Sequence, residues 1–224
     1  MRYFKGMQKN MYIPKAFEET DVEVMHELIR ARPLATLVTL SSNGLNANHI
    51  PLHLSDSPGP FGALWGHVAR ANPILDDLAK DFETLAVFHG PDTYITPSWY
   101  ATKQQTGKVV PTWNYVAVHA YGYLRVMDDP VWLRAQLEAL TAQSETPFAE
   151  PWTVSDAPNE FTERLMTAIV GVEMIITKLQ GKWKVSQNQP SQNQASVVVG
   201  LKASGLPEAM EMAVLVENGA KTNR

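Results

Sequence analysis

Sixteen consecutive residues, "TWNYVAVHAYGYLRVM" (112–127), alternate with period two and contain no proline and a single glycine. Trp113, Tyr115, Ala117, His119, Tyr121, Tyr123 and Arg125 share one face of such a strand. Asn114, Val116, Val118, Ala120, Gly122, Leu124 and Val126 share the other. At about 3.3 Å per residue the run extends roughly 50 Å, well beyond an ordinary strand. A chain holding such a strand has to build a sheet around it.

Shorter runs supply the neighbours. "LATLVTL" (34–40) and "LNANHIPLHL" (45–54) flank "SSNG" (41–44), an Asn-Gly hairpin turn. Residues 61–68 and 84–90 read as strands, and 168–180 and 182–187 read as two more joined at Gly181. Thr20 and Glu23 have capping-box spacing before a helix carrying Val24, Met25, Leu28 and Ile29, which Pro33 stops. Asn72-Pro73 opens a helix over 73–80. Asp129-Pro130 opens another with Leu133, Leu137 and Leu140 inward, and a shorter one over 159–167 bears Phe161 and Leu165. Residues 91–111 lack a period and read as a long functional loop with one helical turn; residues 191–219 read as two helices separated by "ASGLP". The expected fold is mainly β with peripheral helices (α+β), an antiparallel barrel with a C-terminal helical hairpin. The βαβ alternation and Gly-rich fingerprints of nucleotide-binding α/β proteins are missing.

The chain has no cysteine, which removes disulfides, thiolate metal sites and Cys nucleophiles. "MRYFKGMQKNM" has no hydrophobic core, and "AIVGV" (168–172) is far too short to span a bilayer. These features point to the cytoplasm, with residues 1–10 as a loose extension before a domain over 11–190 and a helical tail over 191–224. The net charge of −4 argues against a basic nucleic-acid surface. The two final helices carry only Lys202 between residues 189 and 220, so any DNA contact is expected to be weak or indirect.

Among polar residues, Arg70 stands out. It lies between the strand ending at Val68 and the helix opening at Asn72-Pro73, where free N–H groups and a guanidinium suit an anion. The plain alternative is that it caps a carbonyl or pairs with Asp76 or Asp77. His49 and His53, four apart on one strand, share a face and suit a metal only with a third ligand; half-buried histidines are the ordinary reading. "PTWNY" (111–115) sets an indole that can lie along a flat cofactor, or fill the core, beside Asn114, an amide needing partners. "GKWKVSQN" (181–188) puts Lys182 and Lys184 on one face and Trp183 on the other, followed by Ser186, Gln187 and Asn188. It reads as a ligand or subunit contact, or as an edge strand guarded by lysine.

"MYIPKAF" (11–17), "GHVARANP" (66–73), "FHGPDTYITPSWY" (88–100), "VPTWNYVAVHAYG" (110–122) and "IVGVEMIITKLQGKWKVSQN" (169–188) together resemble the PaiB family. That family is described as FMN-binding negative transcriptional regulators related to pyridoxamine-phosphate-oxidase-like split barrels. Departures are local, in "KQQTGKV" (103–109) and "QPSQN" (189–193). The resemblance implies a six-stranded antiparallel split β-barrel and a homodimer binding FMN between its subunits. It implies the FMN phosphate at Arg70, next to His67 and Asn72, and a backbone along the flavin at Asn48, His49, Ile50 and Pro51. It also implies Trp183 and Lys184 completing the site, often from the other subunit, with Trp113, Asn114 and Gln187 nearby in the matching motifs. An FMN-binding regulator is the leading expectation; a flavin-dependent oxidase or reductase, or a haem-handling protein, would use the same fold.

Overall fold

The long alternating run forms one uninterrupted strand, β7 (Thr112–Met127). It lies in a computed structural model that describes residues 11–41, 44–77 and 82–222. The other strands are β1 (Glu18–Glu19), β2 (Leu34–Ser41), β3 (Gly44–Pro51), β4 (His53–Ser55), β5 (Ala63–Ala69), β6 (Thr84–Ile95) and β8 (Ile169–Lys184). The helices are α1 (Val22–Ala31), α2 (Ile74–Asp77), α3 (Lys103–Thr106), α4 (Pro130–Glu145), α5 (Asn159–Met166), α6 (Ser191–Ser204) and α7 (Pro207–Thr222). The chain is mainly β, with an eight-stranded antiparallel sheet in the order β3-β2-β6-β7-β8-β5-β4 and β1 added against β8. Among the described residues the hydrogen-bonded path is open, ending at β3 and β4. The extension over 1–10, turn residues 42–43 and the far end of the 73–80 helix lie outside the described residues.

Two compact units share the long strands. The larger comprises residues 21–90 and 117–179. Its core holds Ile29, Leu37, Leu64, Phe88, Met174 and Ile176, all fully buried. The smaller comprises residues up to 20, 91–116 and from 180 onward. There Ile95, Val197, Leu201 and Met212 are fully buried, and the hairpin of α6 and α7 turns at Gly205, whose φ of 70° suits a residue without a Cβ.

Several boundaries differ from the sequence reading for physical reasons. Asp21, not Thr20, caps α1: its carboxylate accepts the Glu23 N–H at 2.9 Å. Gly181 does not divide β8, because Glu19 pairs with Gly181 and Glu18 with Lys182, and the ladder holds the glycine extended. β6 runs on to Ile95 where a loop was expected, and Tyr94 packs edge-on against Trp113 with centroids 5.9 Å apart. Leu52 breaks the expected 45–54 strand, its N–H donating to Pro33 O at 2.8 Å, so His49 and His53 sit on separate strands. On α5, Phe161 and Leu165 are exposed and Thr162 is the buried residue. On α4 the buried positions are Leu133, Gln136 and Leu140, with Leu137 half-buried.

Gly122 marks the tightest approach in the larger unit. A Cβ there would lie 2.1 Å from Ile175 O and 2.9 Å from Met174 Cγ. Two backbones packed this closely cannot absorb a methyl by side-chain motion. Gly122→Ala is expected to lower stability by about 3 kcal/mol, read as a fall in the urea midpoint with an unchanged slope.

Candidate functional site

The ladder between β5 and β8 leads directly into the Arg70 corner. Ala69 pairs with Ile169, the last rung, and the Arg70 N–H continues it by donating to Ala168 O at 2.9 Å. Asn72 N–H then donates to Ala69 O at 2.8 Å, closing a turn. The Asn72 carboxamide oxygen accepts Ile74 N–H at 3.0 Å, as an N-cap should. Its Nδ2 donates to Asn48 Oδ1 at 3.2 Å, tying β3 to the corner. Asn48 Nδ2 is buried and has no partner among the described residues. A buried donor left open is costly unless something else accepts from it.

The Arg70 side chain realises the plain alternative, with partners distant in sequence. Its Nε donates to Thr167 O at 3.0 Å, and its Nη2 bonds Asp128 Oδ1 at 2.5 Å. Neither Asp76 nor Asp77 is the partner. The Arg70 side chain is still 46% exposed and lines a cleft of about 300 Å³ whose other walls include three carboxylates, Asp128, Asp129 and Glu163, with Leu133 and Thr167. The hydrogen bond from Arg70 holds the Asp128 carboxyl below its ordinary pKa, and the charge of Arg70 adds to the effect. The same contact raises the Arg70 guanidinium further above its already high value. Within the described residues α2 is a single turn, Ile74–Asp77, and the guanidinium is the charge on this corner that attracts an anion.

The neighbouring candidates have mixed surroundings. His49 is exposed and shares a hydrogen bond of 3.2 Å with Thr36 Oγ1. Ile50 is in the core and Pro51 is exposed at the end of β3. His67 Nδ1 lies 2.9 Å from Gln136 Oε1, and His53 Nδ1 lies 2.8 Å from Gln143 Oε1, so two glutamines one heptad apart on α4 orient both rings. Among the described residues no three His, Asp or Glu side chains cluster to hold a metal.

The remaining candidates belong to the smaller unit. Trp113 is exposed, with Tyr94 at its edge. Asn114 is buried, and its amide exchanges hydrogen bonds with Ser186 Oγ at 2.9 and 3.3 Å. Ser186 has φ 65°, a left-handed conformation rare for serine, held by Gln194 Nε2 donating to Ser186 O at 3.3 Å and Gln189 O at 2.9 Å. Gln187 accepts from Val185 N–H at 2.7 Å and donates to Trp183 O at 2.5 Å. Both amides are thus engaged in shaping the bend after β8. Trp183 is half-buried. Lys184 Nζ donates to Thr112 Oγ1 and Trp113 O, each at 2.5 Å, and burial lowers its pKa, with Lys182 contributing.

One polar group escaped the sequence reading. Glu173 is buried in the larger unit, accepting from Trp65 Nε1 at 3.0 Å and from Arg125 Nε at 2.5 Å. The signal was an acid inside the apolar run "IVGVEMII" (169–176), which demands buried partners.

Residues 11–178 match the family described as Putative FMN-binding domain. An uncharacterized protein of Emericella nidulans is 36% identical over an alignment covering 87% of this chain and 92% of its own. The Bacillus subtilis protease synthase and sporulation protein PAI 2 is 29% identical, covering 94% of this chain and 99% of its own. The structure of the FAD and heme binding protein from Mycobacterium smegmatis shares the fold, with TM-score 0.53, 17% identity, and coverage of 75% of this chain and 73% of that one.

The Arg70–Asp128 contact has a direct readout. Carboxyl carbon NMR should find Asp128 titrating below the usual carboxylate range, and Arg70→Ala should return it to that range. Asp128 titrating normally in both proteins would mean the pair does not persist in solution.

Proposed function

The chain belongs to the Putative FMN-binding domain family, and from that membership we propose that it is a PaiB-type regulator binding FMN through the Arg70 corner. In this reading two protomers associate, the open sheet path completes a split barrel, and FMN lies between subunits with its phosphate on Arg70. Arg70 carries the proposal: it is a half-exposed guanidinium whose Nε is fixed on a peptide carbonyl and whose far end faces a cleft. The donor set suits a phosphate, because a planar fork can bind two phosphate oxygens at once. Asn48, with an unpartnered Nδ2 tied to the same corner through Asn72, supplies a further donor.

Asp128 is the anion bonded to Arg70, and Asp129 and Glu163 line the same cleft, so an incoming phosphate meets three carboxylates. The phosphate must displace the Asp128 carboxylate from Nη2 or share the guanidinium beside it, and two anions sharing one cation repel. When bound, FMN supplies a redox-active ring. The chain's own residues hold the phosphate and orient the ring along β3. A regulatory role needs nothing more than binding. Lys202, the cation of the α6–α7 hairpin between residues 189 and 220, is bonded to Glu217 at 2.6 Å, so DNA gains little from that hairpin and regulation runs through a partner or a metabolite.

Titration of FMN and riboflavin by flavin fluorescence tests the corner. A charge-assisted hydrogen bond contributes about 1.5–3 kcal/mol, so Arg70→Ala should weaken FMN roughly ten- to a hundred-fold. Riboflavin, without a phosphate, should lose far less, and Asp128→Asn should tighten FMN by removing its competitor. Equal losses for both flavins would refute the assignment. Rapid bleaching of bound flavin by NADH or NADPH would favour a reductase over a regulator, and a Soret band would favour haem.

A further inference from the structure

Another cleft opens in the chain between β6 and β7. It has a volume of about 520 Å³, and its walls include Ser98, Trp99, Tyr100, Lys103 and Gln104, all in the smaller unit. Helix α6 holds this segment in place. Ala101 N–H donates to Ser196 Oγ at 3.1 Å, and Thr102 N–H donates to Asn193 Oδ1 at 3.1 Å. Asn193 Nδ2 returns a bond to Thr102 Oγ1 at 3.0 Å. The Trp99 ring lies so near α6 that a Cβ on Gly200 would stand 2.4 Å from it. The cleft is therefore built on a fixed backbone, as a preformed binding site is.

Two polar groups of its walls have capacity to spare. Tyr100 is 4% exposed, and its buried hydroxyl has no hydrogen-bond partner among the described residues. An open buried hydroxyl costs stability, so its place at a cleft wall needs a reason. Burial raises the pKa of this phenol, which keeps it protonated and able to donate. Lys103 Nζ donates to Ser98 Oγ at 3.2 Å, its one hydrogen bond among the described residues. An ammonium carries three N–H groups, so two remain for a ligand. Lys103 is also the one ionised side chain among these described walls, and a single point charge matches a single carboxylate. Trp99 and Tyr100 add flat apolar surface for a ring. We propose that this cleft binds a small aromatic carboxylate, its carboxylate taking donors from Lys103 and Tyr100 and its ring packing on Trp99. The inference stands independently of the flavin reading. Arg70 belongs to the larger unit, and Lys103 and Gln104 open the segment 103–109, where the sequence departs from the motifs that carry the family resemblance.

An NMR titration of the full chain, with and without saturating FMN, tests this with benzoate as the probe and benzamide as its uncharged counterpart. Benzoate should shift the backbone amides of residues 98–104 and the Trp99 indole N–H saturably in both samples. Benzamide, lacking the charge, should bind about tenfold more weakly. Lys103→Gln should weaken benzoate by a similar factor and leave FMN affinity unchanged, whereas Lys103→Arg keeps the charge and the binding. Tyr100→Phe distinguishes a ligand-binding hydroxyl from a structural one. It should weaken benzoate severalfold with a melting temperature equal to or above wild type, because it removes an unpartnered buried hydroxyl. The proposal is overturned if benzoate gives no saturable shift, if benzamide binds as tightly, or if Lys103→Gln and Tyr100→Phe bind benzoate as wild type does. Shifts that vanish when FMN is added would assign the cleft to the flavin and overturn it as well. Failure of FMN to bind would refute the flavin corner and leave the benzoate titration of the flavin-free chain to decide this site.

Discussion

Backbone pairing between β5 and β8 is the constraint on which the candidate site depends. Seven rungs run from Ala63–Ile175 to Ala69–Ile169, and the next hydrogen bond joins Arg70 to Ala168. A sheet ladder has a period of two, so slipping it by one residue would turn every side chain to the opposite face. Buried Leu64, Val68, Val172 and Met174 resist such a slip. The position of one guanidinium is therefore set by apolar burial several residues away. Arg70 is not placed by its own contacts; those contacts, to Thr167 O and Asp128, follow from where the ladder ends.

The two compact units carry different chemistry. In the larger, polar side chains are arranged in defined pairs: Arg70 with Asp128, Trp65 and Arg125 with Glu173, His67 with Gln136 and Asn48 with Asn72. In the smaller, the amides of Asn114, Gln187 and Gln194 hold the bend at Ser186. Amides stabilise a tight bend well because each can donate and accept at once.

Much of this was legible in the sequence, and the limits are physical. β7 was readable to its ends because sixteen residues of alternation leave no competing period. The Asn72 cap was readable because an N-cap is a local interaction. Asp128 as the partner of Arg70 was not, since fifty-eight residues separate them and only the sheet brings them together. Gly181 suggested a break because the pairing of β1 across it is invisible in local pattern. Asn114 stood out as an amide needing partners, but the sequence alone could not say that Ser186 would provide them, nor that Gln187, read there as part of a ligand or subunit contact, would bond the backbone of its own bend.

The central claim is that Arg70 exchanges an internal carboxylate for a ligand phosphate. A crystal structure of the protein grown with FMN tests this most directly. The account predicts the flavin phosphate within hydrogen-bond distance of the Arg70 guanidinium, with the Asp128 carboxylate displaced from Nη2 or moved to its side. A flavin bound with its phosphate elsewhere, over an intact Arg70–Asp128 pair, would contradict it.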